Sequence, residues 1–315
     1  MSATSKAAIA AVDWGTTRLR VWLLDASGSV VDERRSDEGL LIAQHKGFAV
    51  VLDRHLQEMG APAALPAIVC GMAGARQGWI EAPYVDVPAS LADILGAAVR
   101  VPSAGRDIRI VPGLAQRSAR TPDVMRGEET QLAGVASLIG SGSHVVCMPG
   151  THSKWVIAEG GAISGFGTWP TGEMFSVLSG HSILRHSIGE KPAAVAPDNQ
   201  VFRDWCQEAL FDGDIAARLF GIRAAGLLNG LGPDDAAAAL SGLLIGAEIA
   251  SATRRFGRRG APVVLVVSGS LGALYAEAMA LDGIAVKIAD ADQAVLAGLV
   301  AAARRNKMLT DGEAR

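Results

Sequence analysis

The chain has 315 residues, half of them apolar and 19% charged, with a formal net charge of −3. That length predicts about two domains with a core each, and the composition excludes a disordered chain. The near-neutral balance carries no electrostatic footprint for nucleic acid or a membrane surface.

Residues 8–25 set the pattern for the rest. An apolar strand ends at Asp13, a Gly15-Thr16-Thr17 turn follows, and a second strand carries Arg18 and Arg20 in alternation with Leu19 and Val21. Such a small, hydroxyl-rich turn suits a phosphate, and a carboxylate at a strand end suits Mg2+. The same residues would also make an ordinary hairpin. Gly28-Ser29 leads into a third strand at Val30, and Phe48, Val51, Leu52, Leu56 and Met59 have helical spacing. A short buried strand is expected at 66–71. After it, residues 71–88 lose all periodicity and gather Gly, Pro and aromatics, so Arg76, Trp79 and Tyr84 are candidates for a polar ligand or for a structural loop. Another strand is expected at 107–113. A helix then begins near Gly127 with Glu128 and Glu129 in its first turn, as helix dipoles favour.

The second half repeats the opening. The strand at His144–Met148 meets Gly150-Thr151, then His152, Ser153 and Lys154 open another strand, and Glu159-Gly-Gly161 turns into a third. Thr171-Gly-Glu173 starts a helix. Helices are expected at 202–228 and 234–256, the latter with Glu248 at the edge of its apolar stripe, either solvated, which is the favoured reading, or hydrogen-bonded to a ligand. The strand 262–267 ends in Ser268-Gly269-Ser270, and a helix, a strand at 285–289 and a helix at 291–303 follow. The basic run Arg254-Arg255-Phe-Gly-Arg258-Arg259 reads as a solvated helix end. Cys70, Cys147 and Cys206, widely spaced among apolar residues, read as reduced buried thiols rather than a disulfide framework or a zinc site. No signal-peptide core precedes Asp13 and no apolar run is expected to span a bilayer, so a cytoplasmic protein is expected.

The usual P-loop and dinucleotide fingerprints are absent. The order Asp13-x-Gly15-Thr16-Thr17, Gly150-Thr151, Gly269-Ser270 instead resembles the two phosphate elements and the adenosine element of the actin–hexokinase-like ATPase superfamily. Within it, Gly71-Met-Ala-Gly74, Gly78-Trp79, Ala82-Pro-Tyr84, Met125-Arg-Gly-Glu-Glu-Thr-Gln131, Met148-Pro-Gly-Thr-His152, Lys154-Trp155, Thr171-Gly-Glu173 and Ser241–Glu248 resemble the bacterial 2-dehydro-3-deoxygalactonokinase family over nearly the whole chain.

The resemblance implies an α/β fold of two ribonuclease-H-like domains, with ATP and a sugar acid in a cleft between them. The expected division is 1–135, 136–305 and a polar tail at 306–315. It implies ATP-dependent phosphorylation of 2-dehydro-3-deoxy-D-galactonate at its 6-hydroxyl. Asp13 would anchor Mg2+. Gly15, Thr16, Thr17, Arg18, Gly150, Thr151, His152 and Lys154 would surround the phosphates, and Gly269 and Ser270 would meet the nucleoside. Gly74, Arg76, Trp79, Tyr84, Glu128 and Glu173 would line the acceptor site, with Arg76 on the substrate carboxylate. Many superfamily members carry an Asp where this chain has Met148, so the base is sought elsewhere, with Glu128 ahead of Glu129 and Glu173. A kinase for an epimeric acid such as 2-dehydro-3-deoxygluconate, and a non-catalytic ATP-binding module, stay open. So does a homodimer.

Overall fold

The computed structural model describes residues 6–102, 105–257 and 262–310. In chain order it runs β1 (Ile9–Trp14), β2 (Leu19–Leu24), β3 (Val30–Ser36), α1 (Leu40–Lys46), α2 (Phe48–Glu58), β4 (Ala67–Gly71), β5 (Val85–Asp86), β6 (Ala89–Ser90), α3 (Leu91–Gly96), β7 (Val99–Arg100) and β8 (Ile108–Ile110). Then come β9 (Leu114–Gln116), β10 (Asp123–Met125), α4 (Glu128–Gly134), α5 (Ala136–Ile139), β11 (Ser143–Met148), β12 (Ser153–Glu159) and β13 (Ala162–Trp169). The chain ends with α6 (Thr171–His181), α7 (Arg185–Ile188), α8 (Gln200–Asp212), α9 (Ile215–Leu228), α10 (Pro233–Phe256), β14 (Val263–Val267), α11 (Leu271–Leu281), β15 (Val286–Asp290) and α12 (Ala291–Arg305).

Contacts divide the chain into two units. The first holds residues 1–141, 160–165 and 291–315, and the second holds 142–159 and 166–290. The first unit's main sheet has the order β3-β2-β1-β4-β8-β7, with β1 antiparallel to β2 and parallel to β4. The second unit's sheet runs β15-β14-β11-β12-β13, with β11 antiparallel to β12 and parallel to β14. Read from the third strand of each hairpin set, both sheets have the same ribonuclease-H-like order. The repeat seen in the sequence is therefore a repeat of topology. Its physical basis is shared: an antiparallel three-strand meander, then parallel strands added by crossover connections.

In the first unit, alternate residues of β1 enter two cores. Ala10, Val12 and Trp14 face Val51, Leu52 and Leu56 of α2. Ile9 and Ala11 face Val295 and Leu299 of α12. Burial on both faces explains why β1 reads as a continuous apolar run. It also settles where the last helix belongs. The expected division put α12 with the second domain, but α12 covers the second face of the first unit's sheet. Gly298 lies flush on α4, where an added Cβ would stand 1.9 Å from the Thr130 carbonyl. The expected polar tail starts packed: Asn306 donates to the Leu95 carbonyl at 2.8 Å, and Leu309 is buried. Residues 311–315 lie outside the described residues.

The second unit is organised by α10. One side packs Ile245, Ile249 and Ala252 against Cys147, Leu265 and Tyr275. Another packs Leu240, Leu243 and Leu244 with Leu184 and Ile222. Gly242 and Gly246, one turn apart, bring α10 onto the backbone of α8; a Cβ there would lie 2.3 Å from Phe202 O and 2.5 Å from Cys206 O. By length and hydropathy α10 is capable of spanning a membrane, contrary to the sequence expectation, but 83% of its apolar window is buried inside the unit. It is a core helix. Its last turn carries Arg254 and Arg255; Arg258 and Arg259 lie outside the described residues. All three cysteines are free and buried.

Candidate active site

Asp13 stands opposite Arg20 in the β1–β2 register. The Arg20 Nε and Nη2 groups both donate to Asp13 Oδ2, at 3.2 and 2.8 Å, and Nη1 pairs with Asp292 at the start of α12. Arg20 thus clamps the carboxylate that the sequence singled out, while Arg18 is exposed in the turn. The clamp was not anticipated, although the period-2 placement of Arg20 beside Asp13 is a visible cue. Asp13 Oδ1 faces Cys70 Sγ at 3.7 Å.

The Gly15-Thr16-Thr17 turn closes with Gly15 N–H on Arg18 O at 2.8 Å. The segment after β3 braces it from behind: Leu40 N–H donates to Gly15 O at 2.9 Å, and Gly39 packs so closely that a Cβ would lie 2.5 Å from Thr16 O. Thr16 and Thr17 remain exposed. The second turn is built alike. Glu173 N–H donates to Thr151 O at 3.0 Å, and a Cβ on Gly172 would lie 2.6 Å from Gly150 O. In both units, a glycine following the third strand abuts the Gly-Thr turn and braces its backbone.

Around the second turn, Lys154 is buried and donates to Thr168 Oγ1 at 2.7 Å, whereas His152 and Glu173 form an exposed pair at 2.9 Å. Glu248, expected in solvent, is 2% exposed. Trp155 Nε1–H donates to it at 2.7 Å and Tyr275 O–H at 2.6 Å, and Thr171 Oγ1 is its third partner. Burial pushes its carboxyl up while these hydrogen bonds pull the other way. The network continues to Ser153, whose Oγ lies 3.0 Å from the Tyr275 hydroxyl oxygen and accepts from Gly150 N–H at 3.4 Å. Beside it lies a cavity of about 330 Å3, lined by Gly150, Thr171, Ser241, Leu244, Ser270 and Leu274 among others. Mostly apolar walls with a few polar edges suit a nucleoside. Gly269, at φ +71°, makes the turn that places Ser270 on its rim.

In the first unit, Glu128 and Glu129 diverge as adjacent helical residues must. Glu128 is half-buried, and its Oε2 accepts the Arg126 main-chain N–H at 3.0 Å. Glu129 is wholly buried; its carboxyl accepts from Gly127 N–H at 2.6 Å and meets Thr130 Oγ1 at 2.9 Å. Desolvation first, and the neighbouring Glu128 second, push the Glu129 carboxyl up to about 8. Desolvation, then Asp13 and Glu129, likewise raise the Cys70 thiol.

The irregular loop divides its candidates. Trp79 stacks on Phe48 with ring centroids 5.9 Å apart and meets Trp14 edge-on at 6.1 Å, so it closes a core rather than lining a polar site. Arg76 is exposed. Tyr84 covers the guanidinium of Arg126, 4.4 Å from its carbon to the ring centroid, and Gly74 lies beside Arg126 Nη1. Gly74, Tyr84 and Glu128 are thus linked through Arg126, which is not among the residues expected at the site from sequence.

Two sheets of ribonuclease-H-like order, each carrying a braced Gly-Thr turn after its first strand, place the chain in the class of actin/hexokinase-like α/β folds. Within that class the chain belongs to the 2-keto-3-deoxy-galactonokinase family, which matches residues 13–302. It is 51% identical over 296 residues to a protein of Rhizobium meliloti (strain 1021) named as a probable 2-dehydro-3-deoxygalactonokinase, covering 94% of this chain and 96% of that one. It is 36% identical over 289 residues to the 2-dehydro-3-deoxygalactonokinase of Escherichia coli (strain K12), covering 92% and 95%. A crystal structure of a Sinorhizobium meliloti protein with the same provisional name superposes with a TM-score of 0.91 at 51% identity, covering 94% of this chain and 98% of that one. The chain is a carbohydrate kinase, and ATP use goes with that family.

Proposed function

We propose that the chain transfers the γ-phosphoryl group of ATP to the 6-hydroxyl of 2-dehydro-3-deoxy-D-galactonate, in the cytoplasm, in the breakdown of galactonate. What carries the reading is likeness to the two relatives of that name over more than nine-tenths of the chain. The braced turns support it, since phosphoryl transfer asks mainly for positioning and charge neutralisation.

Asp13 fits a divalent cation that arrives with the nucleotide. Arg20 occupies Oδ2 only, and Mg2+ characteristically takes one or two carboxylates, substrate phosphates and water. When bound, the metal offsets charge on the β- and γ-phosphate oxygens. The Gly15–Thr17 turn and the Gly150–Thr151 turn each suit a phosphate through their exposed threonines. The cavity lined by Ser241, Leu244 and Ser270 receives the nucleoside.

Glu128 accepts the proton of the acceptor hydroxyl as the new P–O bond forms. Glu129 is unsuited to that role: with its carboxyl near 8 it is mostly protonated at neutral pH, and its oxygens are committed to Gly127 and Thr130.

The test is ADP release by the purified chain against a panel of aldonic and 2-keto-3-deoxy acids with Mg2+ and ATP. Turnover is expected with 2-dehydro-3-deoxygalactonate. Preference for the gluconate epimer would reassign the substrate, and tight ATP binding without turnover of any acid would overturn the kinase reading.

A further inference from the structure

Resting on that reading, we propose that Arg126 recognises the carboxylate of the sugar acid, in place of the exposed Arg76. Arg126 differs from other partly buried arginines of the first unit. Arg20, Arg106 and Arg109 each pair with a carboxylate. No ion pair among the described residues uses Arg126. Its Nη2 donates to the Ala82 carbonyl at 2.8 Å, while Nε and Nη1 are shut off from solvent with no hydrogen-bond partner among the described residues. A buried cationic donor without an acceptor is a costly exception in folded proteins, and it marks a place where an anion belongs.

The surroundings are built to hold the side chain in place. Nη1 fills the space a Cβ on Gly74 would need, at 2.7 Å. Tyr84 lies over the guanidinium and is itself seated on Gly113, where a Cβ would meet its ring at 2.8 Å. Gly74 and Gly113 thus leave room for a stacked Tyr–Arg pair, and stacking leaves the guanidinium edge for a planar acceptor. Tyr84 itself is half-buried on an irregular loop.

The position suits the substrate. The Arg126 main-chain N–H donates to Glu128, while its guanidinium lies at the far end of a long side chain. The acid has its carboxylate at carbon 1 and its accepting hydroxyl at carbon 6, so it needs an anion anchor as well as a base, and Arg126 and Glu128 stand two residues apart in the chain. An arginine here would select acids over neutral sugars through two charge-assisted hydrogen bonds.

The experiment compares wild type, Arg126→Gln, Arg126→Lys and Arg76→Gln, using 2-dehydro-3-deoxygalactonate and its uncharged amide as acceptors, with melting temperature as a control. Arg126→Gln should raise KM for the acid about 10- to 100-fold, the loss expected for a hydrogen bond to a charged group. KM for ATP should stay near wild type, and the preference for acid over amide should collapse. Arg126→Lys, which keeps the charge and the fold, should retain part of that preference. An unchanged preference in both Arg126 variants, or its loss in Arg76→Gln alone, overturns the assignment. Should wild type phosphorylate neither acceptor, the kinase reading fails instead, and calorimetric binding of the acid to wild type against Arg126→Lys still decides the role of Arg126.

Discussion

The Glu129 carboxyl makes the sharpest quantitative prediction. Its ordinary value of 4.5 is raised to about 8 by complete burial and by Glu128. Between those two values the folded chain keeps a proton that the unfolded chain has released. The unfolded state then binds fewer protons than the native one, so stability falls as pH rises. The contribution is fully present below about 4.5 and is lost as pH climbs through the folded value. At about 1.4 kcal/mol per pH unit, the loss across the window is on the order of 5 kcal/mol. That is a large part of the stability of a typical domain. Glu129→Gln removes the titration while preserving the shape of the neutral acid: the amide oxygen can accept from Gly127 N–H, and the amide nitrogen can donate to Thr130 Oγ1. Urea unfolding from pH 5 to pH 9 should therefore show wild type losing stability relative to Glu129→Gln, with the gap widening to pH 8 and then levelling. A constant gap across that range would refute the idea that Glu129 is a neutral buried acid.

Four further outcomes are expected. Asp13→Asn should abolish turnover with little change in melting temperature, because the amide can still accept from Arg20; near-normal activity would remove Asp13 from the metal. Glu128→Gln should lower kcat about 10²–10⁴-fold with KM for ATP unchanged, and a comparable loss in Glu173→Gln with Glu128→Gln active would transfer the base to the second unit. Ser241→Phe should raise KM for ATP while leaving KM for the acid alone, since Ser241 lines the proposed nucleoside cavity; unchanged ATP kinetics would place the nucleoside elsewhere. Gly298→Ala should cost about 1–3 kcal/mol in urea unfolding, because the new Cβ would stand 1.9 Å from a main-chain oxygen of α4, and an unchanged midpoint would contradict that close crossing.

Much of this protein is local and was legible without coordinates. An apolar run ending in Asp13, a glycine and two threonines make a strand and a phosphate-sized turn by short-range geometry, and the same logic found the turn at Gly150. The helices at 48–58 and 233–256 follow from 3.6-residue periodicity. The neighbours across the sheet are not local. Glu248 sits at the edge of a helical stripe in sequence, and only the arrival of Trp155, Thr171 and Tyr275 from three other elements makes it a buried acceptor. Trp79 reads equally as a ligand-facing aromatic or as a core cover until Phe48 and Trp14 are seen beside it. Helix α12 looks like a continuation of the second half, yet it packs on the second apolar face of the first unit's sheet. For Arg76 and Arg126 the sequence offers two similar arginines near similar loops. Tertiary packing separates them, leaving one in water and enclosing the other between Gly74 and Tyr84. Backbone pattern is written residue by residue, whereas desolvation depends on which distant surfaces come together, and desolvation is what gives a charged side chain its chemistry.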